Sequence, residues 1–358
     1  MNTATAIVSD KQLGDVLLLQ PSARHLADAH GAPTALFVRE AFKPLVELMP
    51  GCAWGPDAAA RFDQAWVTSW SSRAVWQAFR LRAARRVLIV TKPRHVRWWY
   101  RFVFHEIRLE PPAAQYWARY FWRVVGGPDA VFVPPKLRPP PPDWRHPHSP
   151  EGGFLLINPT AAWSRKFWSV PQWAEVITAF SRQHPAVPVV IAGGGSDLEK
   201  KHCQAIAASV AAAFAGQAES NASPPGGGSG RSADAPVLPN EGGAPPRVRF
   251  VNLAGQTSLR QYLHLLASAR LVLCIDGAAS HLAQAFDVPA VTIFGPTHDA
   301  KWHWSTPRHR VLAARHFADP ADYGPKDPLS AEEVPATVML AEALALMDTG
   351  KPSSVPPF

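Results

Sequence analysis

Residues 271–296, LVLCIDGAASHLAQAFDVPAVTIFGP, decide the fold of this chain. The run 271–275 is continuously apolar, as in a strand buried on both faces of a parallel sheet, and Asp276 falls where that strand should end. Gly277, Ala278, Ala279 and Ser280 form a turn of small residues that lets a ligand approach the backbone. Ser280 or Asp276 can cap the helix that carries His281, Ala285 and Phe286. Residues 288–295 then return as the next strand. In open α/β sheets ligands sit beyond the carboxyl ends of strands, and the free N–H groups of a helix start suit a phosphate. Asp276, the turn and His281 are therefore site candidates. The plainer reading is that any βαβ unit looks like this, with His281 a packed core or surface histidine.

The same alternation runs outward in both directions. Towards the N-terminus, 4–8, 34–38, 65–67 and 86–90 read as short strands, with helical segments at 42–49 and 73–84. Gly14 and Asp15 fall on a loop between the first strand and an amphipathic helix. Nearer the opening stretch, 154–158, 187–192 and 247–254 are strands, 170–180 and 198–214 helices, and 257–270 a helix capped by Thr257 or Ser258. A last amphipathic helix covers 336–347. This pattern predicts parallel, two-sided sheets. The segment 134–153 (PPKLRPPPPDWRHPHSP at its centre) refuses helix and sheet and reads as a stiff linker. It divides an N-terminal domain, 1–133, from a C-terminal domain, 154–347, with a tail at 348–358. Residues 215–246 hold seven Gly and six Pro with no aromatic, which predicts a disordered surface insertion.

Two loops of the second half carry the chemistry of an anion site. Thr160, Ser164, Arg165 and Lys166 follow the strand at 154–158, and hydroxyls beside a cation are what an anionic group needs. Gly193, Gly194 and Gly195 resemble a nucleotide-binding turn without the full GxGxxG spacing. Asp197 or Glu199 just beyond can receive ribose hydroxyls.

The length, 358 residues, is enough for two domains with separate cores. No apolar run approaches the roughly 18 residues of a membrane span, and the first residues lack a signal peptide's basic start and apolar core, so the expected compartment is the cytoplasm. Cys52, Cys203 and Cys274 are too far apart, with no CxxC, to build a disulfide framework or a zinc site. The charge is lopsided: residues 1–150 hold 20 Lys+Arg against 11 Asp+Glu, and the remainder 16 against 17. A basic half implies an anionic partner, whether nucleic acid, an acidic lipid surface or a phosphorylated glycan. Between 92 and 123, aromatics from Trp98 to Trp122 interleave with seven basic and two acidic residues. Arg97, Trp98, Trp99 and Arg101 are thus candidates for an acceptor or membrane face. The alternative is that these rings pack inward while the arginines face water. With none of the usual RNA-binding motifs present, no nucleic-acid partner is expected.

Three pieces in order, GDVLLLQPSARHL (14–26), NPTAAWSRKFWSVPQW (158–173) and the run from Leu253 to Thr297 containing DGAASH, resemble the heptosyltransferases of glycosyltransferase family 9. That resemblance implies a GT-B fold, in which two Rossmann-like domains with parallel sheets face a cleft. It implies inverting transfer of a heptose from ADP-heptose to the inner core of lipopolysaccharide, or another lipid-linked glycan, at the cytoplasmic face of the inner membrane. Asp15 matches the Asp of the family's GD, the general base. Lys166 matches the Lys of KxW, near the donor diphosphate. Asp276 and His281 match the ends of the DxGxxH phosphate loop, and Asp197 or Glu199 the acidic position that receives the ribose, with Asp276 expected beside them on the donor's nucleotide and ribose. The chain departs from the family pattern at Ala278, where a Gly is usual, at Ser169, where a Pro is usual, and at Ala161 and Ala162.

The expectation is an inverting glycosyltransferase that needs no metal or other cofactor, since there is no DxD-type pair and cationic and helix-start groups can neutralise a leaving diphosphate. Its partners would be a nucleotide-sugar donor, a glycan acceptor and an anionic membrane surface. The rival readings are a GT-B enzyme with another donor, a nucleotide-sugar 2-epimerase, and a glycan-binding relative without turnover.

Overall fold

The computed structural model describes residues 5–55, 60–109, 115–220, 249–318 and 329–348. Each half of the chain builds one six-stranded, all-parallel sheet. The first comprises β1 (Thr5–Val8), β2 (Thr34–Phe37), β3 (Cys52–Trp54), β4 (Arg61–Val67), β5 (Arg82–Val90) and β6 (Glu106–Leu109), in the order β3-β2-β1-β4-β5-β6. The second comprises β7 (Leu155–Asn158), β8 (Val189–Ile191), β9 (Phe250–Asn252), β10 (Leu271–Ile275), β11 (Ala290–Phe294) and β12 (His309–Ala313), in the order β12-β11-β10-β7-β8-β9. Both follow one plan: the first strand of each domain lies beside its fourth, so the winding reverses between β1 and β4 and again between β7 and β10. A ligand crevice is expected beyond the carboxyl ends of each such pair. The predicted GT-B architecture of two Rossmann-like domains is what the chain adopts.

Burial explains the strands. Every residue of β7, β10 and β11 is buried, as apolar runs covered on both faces require. In β4 and β5 the early residues mix exposed Arg61, Asp63, Arg82 and Arg85 with buried Phe62 and Ala83, while the last ones, Ala65–Val67 and Val87–Val90, are all buried. The two domains share a seam rather than a bare hinge. One apolar cluster joins Ile7, Val16 and Leu17 to Ala279, Leu282 and Ala283. Beside it, Trp117 lies 5.6 Å from Trp302 and Tyr116 lies 5.6 Å from Trp304, ring centre to ring centre.

The proline-rich connection is tied to both domains near its start. Lys136 N–H donates to Gln20 Oε1 (3.1 Å), Leu137 N–H to the Ala285 carbonyl (2.9 Å) and Arg138 N–H to the Leu48 carbonyl (2.9 Å). One 3₁₀ turn, Pro142–Trp144, buries Trp144.

Several expectations change. Asp15 is not on a loop: Leu13–Leu17 is a short helix with Gln12 at its N-cap, and Asp15 lies in its first turn. The helix expected to end at 214 runs Asp197–Ser220, because its alanine-rich sequence favours continuation. Of the expected insertion at 215–246, the first residues thus belong to that helix, and 221–248 lie outside the described residues, as do 349–358 of the tail. Neither Ser280 nor Asp276 caps the helix Ala278–Ala285; Gly277 holds the N-cap position with no side-chain bond. Ser258 does cap Leu259–Ser268, with Gln261 completing a reciprocal capping box. The aromatic stretch divides three ways. Trp98 and Phe102 are 74% and 70% exposed, Tyr100 and Phe104 pack under the first sheet, and Tyr116–Trp122 form the seam side of the N-terminal domain. No helix among the described residues is long and apolar enough to cross a membrane.

Candidate active site

A cavity of about 600 Å³ lies between the domains, and the C-terminal ends of β1, β7, β8 and β10 open onto it. From the first domain it is walled by Gln12 to Asp15. From the second come Asn158 and Thr160 to Trp163 after β7, Gly193 to Gly195 after β8, Asp276 to Ala279 after β10, and Lys166, Glu199, Tyr262, His281 and Trp302.

On the N-terminal side the chain after β1 is pinned by Asp10. Its carboxylate accepts hydrogen bonds from the Ser69 and Ser71 hydroxyls, which follow β4, and so clamps the two loops of the switch point together. Burial opposes ionisation of Asp10, but the two serine hydroxyls and nearby Arg39 outweigh it and hold the carboxyl below its usual range. Lys11 comes next, with its ammonium 5.4 Å from the Trp70 ring centre, 5.6 Å from Trp117 and 5.8 Å from Phe121. Burial lowers its pKa, against the fields of Asp15 and Asp10. The following turn delivers Asp15 to the cavity wall, half-buried. Gly14 faces the other domain so closely that a Cβ there would come within 2.7 Å of His281 Cδ2. A side chain at 14 would push the domains apart, which is why glycine precedes the aspartate.

On the C-terminal side Asp276 is almost fully buried and holds Lys166, with Nζ 2.6 Å from Oδ2. Thr297 donates to the same carboxylate oxygen. An ammonium has three donors, and this pairing commits one, leaving a charged group aimed along the wall. Asp276 is thus an anchor for Lys166 rather than a carboxylate presented to a ribose. Thr160 Oγ1 is buried on the cavity wall with no hydrogen-bond partner, and so is Nδ1 of His281. Burial lowers the His281 pKa, with the fields of Asp276 and Asp15 opposing, so the imidazole is neutral at pH 7. Gly277, Ala278 and Ala279 present the start of an eight-residue helix, whose first N–H groups have no partner within it. Gly277 is extended (φ −176°), and Ala278 sits in the first helical position, so the alanine in place of the family's glycine demands no unusual backbone.

Other predicted residues sort clearly. Glu199 lines the cavity and receives the N–H and hydroxyl of Ser196 at the start of its helix. Asp197 does not: its side chain is 92% exposed and faces Lys200 at 3.9 Å. Ser164 is exposed on a 3₁₀ turn outside the wall. Ser280 is buried and turned away from the cavity, towards His303. Arg97, Trp98, Trp99 and Arg101 lie off the cavity, with Trp99 half-buried and the other three exposed.

Sequence reasoning missed Asn158, Tyr262 and Trp302. Asn158 donates to the Ala192 carbonyl (2.9 Å) and the Tyr262 hydroxyl (2.8 Å), tying β7, β8 and the helix Leu259–Ser268 together at the cavity wall. A polar residue closing a fully buried strand was its signal. Gly193 (φ +120°) passes so close that a Cβ would meet Asn158 Nδ2 at 2.4 Å. Trp302 reaches the wall 6.5 Å from His281, and nothing in its local sequence announces that.

With this geometry in hand, comparison with known proteins is direct. Residues 242–327 match the family model for glycosyltransferase family 9 (heptosyltransferase). No curated protein matches the sequence. The fold is that of the glycosyl transferase family 9 protein from Veillonella parvula (TM-score 0.69, 14% identity, 97% of this chain and 98% of that one). It is likewise that of E. coli ADP-heptose lps heptosyltransferase II (0.68, 18%, 96% and 98%) and of the E. coli heptosyltransferase WaaC with ADP (0.62, 14%, 94% and 97%). The chain therefore has the GT-B fold and resembles the glycosyltransferases of family 9, the matched residues including the strand, turn and helix that build one wall of its cleft.

Proposed function

We propose that this protein is an inverting transferase that moves a heptose from ADP-heptose to an inner-core lipopolysaccharide acceptor, working as a peripheral protein at the cytoplasmic face of the inner membrane. The observation that carries the reading is the opposition across one cleft of a carboxylate, Asp15, and an anion-binding wall, Lys166 with the 277–281 turn. Asp15 takes the proton of the acceptor hydroxyl as its oxygen attacks the anomeric carbon from the N-terminal side. The bond from that carbon to the diphosphate oxygen breaks, and ADP leaves with the electron pair. Lys166, the Thr160 hydroxyl and the free N–H groups of Ala278 and Ala279 receive the developing charge, so no metal is required. Neutral His281 has a ring nitrogen to spare for a phosphate or sugar oxygen. Glu199, beside the glycine turn at 193–195, is the carboxylate placed for the ribose.

The N-terminal domain supplies the acceptor and membrane side. Trp98 and Phe102 are exposed with the Arg101 guanidinium over both rings, at 6.0 and 5.0 Å, next to exposed Arg97. Trp76 and Phe79, 60% and 52% exposed, stack on each other on the helix Ser72–Arg80 of the same domain. Rings and cations in alternation fit the headgroup layer of an anionic bilayer.

The test is transfer itself. ADP-heptose and a core acceptor, incubated with the protein in chelator, should yield glycosylated acceptor with inverted anomeric configuration by NMR, and no reaction should occur without acceptor. Conversion of the sugar nucleotide alone would instead select the 2-epimerase reading.

A further inference from the structure

Behind the donor wall lies a buried polar chain that the reaction above does not use. His303 ends the short helix Asp299–Trp302, and each of its ring nitrogens has one partner. Nε2 lies 3.2 Å from the His309 carbonyl oxygen, and Nδ1 lies 3.3 Å from Ser280 Oγ. A carbonyl can only accept, so Nε2 carries the proton. Burial, opposed by the bond to the His309 backbone, drives the His303 pKa down to about 3, so the ring is neutral and Nδ1 holds a lone pair. Ser280 must then donate to Nδ1. That leaves the Ser280 oxygen to accept from Thr292 Oγ1 at 3.1 Å, and Thr292 in turn to accept from the Cys274 thiol at 3.5 Å. The direction of every proton follows from the first carbonyl. The chain ties β10, β11, the loop before β12 and the helix Ala278–Ala285 through groups that are all buried.

We propose that His303 is a positioning residue of the donor site: by accepting from Ser280 it fixes the depth and rotation of the first turn of Ala278–Ala285, and so aims that turn's free N–H groups at the diphosphate. The inference rests on reading the cleft as a nucleotide-diphosphate site. A helix start held by one buried bond to β11, through Thr292, and one to His303 in the loop before β12 cannot slide along its axis. Loss of the Ser280 link leaves a hydroxyl free to rotate and lets the turn shift by the few tenths of an ångström that a hydrogen bond to phosphate registers.

Two substitutions separate this role from general support. His303→Asn keeps an acceptor near the Nδ1 position but cannot reach the His309 carbonyl; His303→Gln keeps a donor near the Nε2 position but offers Ser280 no acceptor. ADP is titrated calorimetrically into the full-length protein and into His303→Asn, His303→Gln, Ser280→Ala and the Gln/Ala double variant, with melting temperature followed in parallel. Both His303 variants should melt lower. His303→Asn should bind ADP within about twofold of the parent, whereas His303→Gln and Ser280→Ala should each bind about tenfold more weakly, the scale of one neutral hydrogen bond. The double variant should be no weaker than Ser280→Ala. Parental affinity in Ser280→Ala, or equal losses in the two His303 variants, would overturn the proposal. Absence of ADP binding by the parent, or binding indifferent to Lys166→Ala, would instead overturn the donor-site reading beneath it.

Discussion

Lys166 and Asp276 are each other's reason for being where they are. A carboxylate 4% exposed is tolerated because an ammonium 2.6 Å away and the Thr297 hydroxyl satisfy it. Removing only the cation strands the charge, so Lys166→Ala should lose roughly 3 kcal/mol of stability as well as ADP affinity. Lys166→Ala with Asp276→Asn should recover most of the stability and none of the affinity. Denaturant unfolding and calorimetry on the two variants check this, and joint recovery of both properties would deny Lys166 its role in binding. Gly14 is subject to an equally local constraint. In Gly14→Ala the methyl group has to displace His281, and we expect a loss of about 1–3 kcal/mol from overpacking together with at least tenfold slower transfer. Parental turnover in that variant would show that the cleft can open at no cost.

At the scale of elements, the sequence was most legible where strands are central. β10 and the last helix, Ala336–Met347, fall where their apolar patterns place them, and the turn between β10 and its helix begins at Asp276 as expected. The strands that escaped notice, β3, β6 and β12, are all at sheet edges. Their sequences are too short or too mixed to stand out: CAW is only three residues long, and EIRL and HRVLA carry charged or polar residues that break the apolar run. The site was partly legible for a related reason. Residues just beyond the strand ends, on loops or in the first turns of the helices that follow, namely Asp15, Thr160, Lys166, Glu199, Asp276 and His281, could be singled out because chemistry and position coincide. Tyr262 and Trp302 reach the cavity from elements whose place is set by tertiary packing, which no local pattern encodes. Asp197 and Glu199 were indistinguishable until helical geometry turned one outward. The capping box on Leu259–Ser268 offers a simple check: Ser258→Ala should cost about 1 kcal/mol in unfolding experiments. An unchanged midpoint would mean that packing alone holds the helix.

For the whole molecule, three buried histidines of the second domain make stability depend on pH. Burial keeps His281, His303 and His309 below the usual imidazole range, His303 at about 3. The unfolded chain protonates these groups near pH 6.5 and the folded chain does not, so stability is fully present above that pH and is lost as pH falls towards 3. Each such group contributes a slope of about 1.4 kcal/mol per pH unit inside its window. Melting temperature should therefore fall steadily below pH 6.5, and less steeply in His303→Gln; a flat profile would mean that these rings are solvated. The basic N-terminal half carries a second global property. Sedimentation with anionic liposomes should capture the protein at low salt and release it at high salt, with Trp98→Ser/Phe102→Ser weaker throughout; failure to bind, or binding indifferent to salt, would remove the membrane from the account. The two domains exist, in this reading, to bring one carboxylate to a donor held by the other side. Asp15→Asn preserves size and polarity but cannot take a proton. Transfer from ADP-heptose should drop by about a hundredfold or more, with ADP affinity and melting temperature unchanged; transfer by Asp15→Asn at close to the parental rate would contradict the account.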